Sequence, residues 1–153
     1  MKRILGVFLM CMAATVMADE AVQRLPSAVG AEVGFSNLAD GDVIPPAYTV
    51  KFSIAGMGIA PAGVEIDNTG HFHLLIDLAE LPDLDQPLPA NAKLIHFGKG
   101  EAETELALPE GQHRLQLVLA DYRHIPHDPP VVSDPISITI SADAPMPEET
   151  EKN

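Results

Sequence analysis

Gly70-His71-Phe72-His73-Leu74-Leu75-Ile76-Asp77 reads as a β-strand with two unlike faces. A period of two sends Phe72, Leu74 and Ile76 into an apolar core and turns His71 and His73 together onto the opposite side. The roots of two such side chains stand about 6 to 7 Å apart on a strand. That is close enough for a nitrogen of each imidazole to reach one ion. Asp77 shares the histidine face but lies about 13 Å beyond His73 by strand rise, which suits an ion pair better than a shared ligand role.

Outward from this stretch the chain continues as short strand-like runs between Gly and Pro punctuation, with no amphipathic helix of ordinary length. Strands are expected over 31–35, 48–55, 71–77, 93–97, 103–108, 113–120 and 136–141. Leu115, Leu117 and Leu119 alternate with Gln116, Val118 and Ala120. Ile136, Ile138 and Ile140 alternate with Ser137, Thr139 and Ser141, as in a strand with one dry and one wet face. Pro109-Glu110-Gly111 is the turn ahead of the first, and the prolines from Pro126 to Pro130 break the chain after it. Seven short strands with this closing pattern predict an all-β, immunoglobulin-like or fibronectin-like sandwich in a single domain.

Residues 1–18 are set aside as a signal peptide. Lys2 and Arg3 precede an apolar run from Ile4 to Val16, and Val16-Met17-Ala18 offers a cleavage site. The run is too short to span a bilayer, and no later segment reaches the roughly 20 apolar residues a crossing requires. A periplasmic location is expected. Segments 19–30 and 78–89 read as mobile, 31–141 as the sandwich domain, and 142–153 as a disordered acidic tail. The single cysteine, Cys11, falls inside the expected signal, so the exported chain would have neither disulfides nor thiolate ligands. The net charge of −13 becomes −15 without Lys2 and Arg3. Such acidity disfavours nucleic acid and anionic membranes as partners and favours cations.

Four blocks together resemble a bacterial family of exported proteins classed as a domain of unknown function. They are Gly-His-Phe-His-Leu-Leu-Ile-Asp from Gly70, His-Phe-Gly-Lys-Gly from His96, Leu-Pro-Glu-Gly-Gln-His-Arg-Leu-Gln-Leu from Leu108, and His-Ile-Pro-His-Asp-Pro-Pro-Val-Val-Ser from His124. The resemblance covers roughly residues 32–141. It implies an exported sandwich and supplies no activity. Phe72 departs from the family pattern, in which a further histidine is expected at that position.

Five of the six histidines fall in three groups, His71 with His73, His96, and His124 with His127. These five are the candidate metal ligands, since imidazole serves zinc, copper and nickel alike. Pro126 restricts Ile125 toward extended geometry and so partly fixes the approach of the His124 and His127 rings. His113 precedes Leu115, Leu117 and Leu119 on their own face. It is read as a structural histidine at the strand entrance, outside the metal set. Met57 and Met146 are read as filling or exposed groups rather than thioether ligands.

The expected function is a periplasmic histidine-based metal-binding protein that delivers, stores or senses copper or zinc. His71, His73 and a histidine of the His124/His127 loop would hold the ion, with His96 as a further ligand. Nucleophile elbows, His-Glu-x-x-His helices and phosphate or dinucleotide loops are missing from the sequence. A saturated histidine site suits binding rather than turnover. An open three-histidine site with Asp121 or Asp128 beside it would suit a metal-dependent enzyme. The alternative is a cell-envelope interaction module, docking a protein partner, in which the histidines are structural or respond to pH.

Overall fold

The computed structural model describes residues 22–145, so the expected signal segment, Cys11, Met146 and the tail beyond it lie outside the described residues. Nine strands follow in order: β1 (Glu32–Phe35), β2 (Val43–Ile44), β3 (Ala47–Ala55), β4 (Gly58–Ile59), β5 (Thr69–Ile76), β6 (Leu94–His96), β7 (Glu103–Ala107), β8 (Gly111–Ala120) and β9 (Ile136–Ile140). No helix is present among the described residues, and none is long and apolar enough to cross a membrane. The seven strands expected from alternation all form. The two that were not expected, β2 and β4, are two residues each and pair in parallel with β9 and β5.

A three-stranded sheet, β1-β3-β7, packs on a larger one ordered β2-β9-β8-β5-β4, in which β6 also pairs with β5. The chain is thus an all-β, two-sheet sandwich. Its core lies between the sheets. Val33, Val50, Phe52 and Leu106 come from the small sheet, and Phe72, Leu74, Ile76, Leu115, Leu117, Leu119, Ile138 and Ile140 from the large one. Phe52 is the aromatic hub, with ring centres 5.1 Å from Phe72 and 5.0 Å from Phe97. Burying side chains of this size contributes roughly 1.5–3 kcal/mol each, which is how a chain without staples holds two sheets together.

The outer face of the large sheet is also covered. Leu75, Leu94, Val118 and Ala120 form a second apolar cluster with Leu88. Leu88 belongs to the segment 78–89, whose mix of acids and prolines reads as mobile. It docks because one leucine finds a dry patch and because the Leu88 amide donates to the His124 carbonyl. Residues 22–30, expected to be loose, are also docked. Leu25 and Ser27 exchange backbone hydrogen bonds with Asp128, and the Arg24 guanidinium donates to the carbonyls of Pro126 and His127 and pairs with Asp85. Low hydrophobicity hid this anchoring, because it is polar.

At the entrance of β8, His113 Nδ1 meets the Asp77 carboxylate at 2.8 Å and Nε2 meets the Pro109 carbonyl at 2.9 Å. The expected structural role of His113 and the ion-pair role of Asp77 are both realised in this one contact. The hydrogen bonds to Asp77 and Pro109 outweigh desolvation and raise the His113 pKa. Bonds from the Arg114 amide and His113 outweigh desolvation and lower that of Asp77.

A raised histidine pKa stabilises the fold fully below the unfolded value of about 6.5 and ceases to do so above the raised value. A lowered aspartate pKa stabilises above about 3.9 and is lost below it. The pair therefore contributes most between these limits. His113→Ala is expected to cost about 1 kcal/mol at pH 6, discounted because Asp77 is partly exposed, and less at pH 8. Urea midpoints at the two pH values check this; an equal cost at both would remove the ion-pair account.

Candidate metal centre

The histidine site is a consequence of strand register. β5 holds His71 and His73 two residues apart, and the antiparallel pairing of β6 with β5 sets His96 directly opposite His73. Val118 and Ala120 of β8 stand opposite His73 and His71 on the other side. Two imidazoles from one strand and one from its neighbour are thereby gathered on the outer face of the large sheet. Each can offer a nitrogen such that all three lie within 4.8 Å of one another. His71 and His73 have no solvent exposure at all, and His96 is half-buried.

A fourth ring joins them from the loop after β8. The Asp121 carboxylate is itself buried and accepts the backbone N–H groups of Arg123 and Ile125 together with the Arg123 guanidinium. The turn so formed, closed by His124 N–H on the Asp121 carbonyl, leaves His124 in the left-handed region at φ 70°. Its ring centre is then 5.0 Å from His71, 4.7 Å from His96 and 6.0 Å from His73. Asp121 has its oxygens committed to this turn and is a positioning residue for His124. Asp128, the other carboxylate considered from sequence, is exposed.

His127 is not brought into the group. After Ile125 the chain turns along the edge of β8, with a bridge between Ala120 and Pro126, and carries His127 away to a buried position against the backbone of Leu119 and Thr69. Phe72 lies in the core between the sheets, on the face opposite the histidines. The period of two therefore points that position away from the cluster whatever residue fills it.

The rings lack the partners that buried polar groups normally have. Nδ1 of His71, Nδ1 of His73 and Nε2 of His96 are buried without a hydrogen bond, while Nε2 of His71 and His73 face one another at 3.1 Å. Burial, reinforced by the other histidines, pushes the His71 pKa down to about 4 and that of His73 to about 3. Burial, then His124, also lowers that of His96. Neutral rings with free lone pairs follow at neutral pH, which is the form that binds metal. Asp121 and Glu101 oppose the shift at His71, so negative charge lies near enough to favour a cation there.

Gly98 is a further residue of the site. A Cβ built on it would stand 2.3 Å from His96 Cε1 and 2.6 Å from His96 Nε2. Gly98 opens the turn Gly98-Lys99 and is also the floor on which the His96 ring rests, and a glycine beside a strand end is the general signal of such close approach.

The chain belongs to a family described as a domain of unknown function (DUF4399), whose model matches residues 50–141. That span includes all five candidate histidines. Comparison with curated proteins and with solved structures gave no match.

Gly98→Ala is expected to leave the fold intact and move the His96 ring. In histidine side-chain NMR spectra the His96, His71 and His124 signals should shift while that of His113 stays. Unmoved His96 signals would show that the ring does not depend on Gly98.

Proposed function

We propose that this protein is an exported, periplasmic metal-binding protein that holds one copper or zinc ion through His71, His73 and His96, with His124 alongside, and serves in delivery, storage or sensing. The observation that carries the reading is the convergence of three imidazoles, His71 and His73 fully buried and His96 half-buried, each with a buried nitrogen that has no hydrogen-bond partner. Each unsatisfied buried polar atom costs about 1–3 kcal/mol. A fold whose outer sheet face could be filled with leucines, as it is next door at Leu75 and Leu94, holds histidines there at a cost in stability. Binding an ion through the facing Nε2 atoms of His71 and His73 offsets that cost by mass action, because a ligand that favours the folded state stabilises it. Nδ1 of these two rings gains no partner from the ion. The acidity of the chain favours cation capture. The apolar start of the sequence supports export.

The test uses chelator-stripped protein titrated with zinc and copper(II) by calorimetry. One ion per chain with sub-micromolar affinity is expected. His73→Leu should abolish it while leaving the metal-free protein as stable as the parent or more stable, by up to about 1–2 kcal/mol. With zinc in excess the order of melting temperatures should invert. Weak, multi-site binding indifferent to His73→Leu would sink the proposal and turn attention to the histidines as a structural or pH-responsive patch of an envelope interaction module.

A further inference from the structure

Four rings around one ion have a characteristic spacing. With metal–nitrogen bonds of about 2.0–2.1 Å, each ring centre lies about 3.2 Å from the ion. A tetrahedral set then has all six centre-to-centre distances near 5.2 Å and neighbouring nitrogens about 3.3 Å apart. A square-planar set has four distances near about 4.5 Å and two near about 6.4 Å. In this protein the separations are 4.9 Å for His71–His73, 4.9 Å for His71–His96, 5.0 Å for His71–His124, 5.1 Å for His73–His96, 4.7 Å for His96–His124 and 6.0 Å for His73–His124. Five of the six cluster around the tetrahedral value, and the facing Nε2 atoms of His71 and His73 are 3.1 Å apart.

We infer that His124 is the fourth ligand of a closed, tetrahedral, all-imidazole site, and that zinc(II) is the ion the site fits. This rests on the metal-binding reading above and narrows it. The three strand histidines are fixed by sheet register. His124 is carried by the Asp121 turn, and its one long separation, to His73, closes by about 1 Å when the ring moves onto the ion. Geometry disfavours copper(II), which prefers tetragonal surroundings. Ligand chemistry disfavours copper(I), which selects thiolate or thioether sulfur. Met57, the only methionine among the described residues, is packed against the core between the sheets. A site closed by four protein ligands holds an ion without presenting it to substrate, the hallmark of structural, storage or carrier zinc rather than catalytic zinc.

Cobalt(II) reports the geometry, and an added anion such as azide reports an open position. The full chain is loaded with cobalt(II) beside His124→Gly, which removes the ring at a left-handed position that glycine adopts without strain. Intense tetrahedral visible bands that azide leaves unchanged in the parent, but shifts in His124→Gly, support the inference. His124→Gly should still bind one ion through the strand histidines. Its zinc affinity should fall by at least the roughly 10- to 100-fold that loss of an outer partner costs a metal site, and its zinc-to-copper(II) preference should move toward copper. Weak six-coordinate bands, azide sensitivity in the parent, or an unchanged metal preference overturn the closed zinc site while leaving metal binding intact. Failure of the parent to bind any of the three ions stoichiometrically overturns the metal-binding reading itself.

Discussion

Pairing of β5 with β8 sets six consecutive positions in the middle of the large sheet, from His71 opposite Ala120 to Ile76 opposite Leu115. β5 is buried over Gly70–Ile76 on both of its faces, so every side chain there must be accommodated by packing. One face is solved in the ordinary way, with Phe72, Leu74 and Ile76 meeting the small sheet. The other face begins apolar at Leu75 and becomes imidazole at His73 and His71. A one-residue slip in register would exchange the two faces, driving the histidines into the core and Phe72 outward. The site and the core therefore constrain each other, and neither can be shifted independently.

That coupling explains which parts of the structure were legible in the sequence. Period-two alternation over five or more residues is a strong signal, and the runs around Val50, Leu117 and Ile138 all became strands where expected. Two-residue strands such as β2 and β4 carry no period and exist only through their partners. The shared face of His71 and His73 was legible for the same local reason. The position of His96 opposite His73 was not, because inter-strand register depends on how β6 meets β5 and is not written in either segment alone.

The choice between His124 and His127 shows the limit most directly. Both lie in one proline-bearing loop, and spacing treats them alike. What separates them is the turn built on the buried Asp121 carboxylate, which presents His124 to the sheet face before the chain leaves along the edge of β8. An aspartate two residues before an arginine and four before an isoleucine is a common pattern. It acquires meaning only once the carboxylate is known to be buried and engaged with both neighbouring amides. Gly98 was missed for a related reason, since the ring it accommodates belongs to a residue whose placement was itself unsettled.

Polar anchoring around the loop completes the argument about rigidity. The His124 carbonyl accepts from Leu88, Pro126 and His127 carbonyls accept from Arg24, and the backbone of Asp128 is tied to Leu25 and Ser27. Two separate stretches of chain, 22–30 and 78–89, thus converge on the few residues that carry the fourth imidazole. Both have too little apolar surface to fold on their own account and are tied down by hydrogen bonds to this loop, with Leu88 adding its apolar contact. The loop needs them in turn. A left-handed histidine in a loop has few local contacts to hold it, and on the proposed reading its ring comes to within bonding distance of an ion, which tolerates errors of well under about 1 Å. The strands supply three imidazoles at fixed register, and the otherwise unremarkable polar segments supply the precision of the fourth.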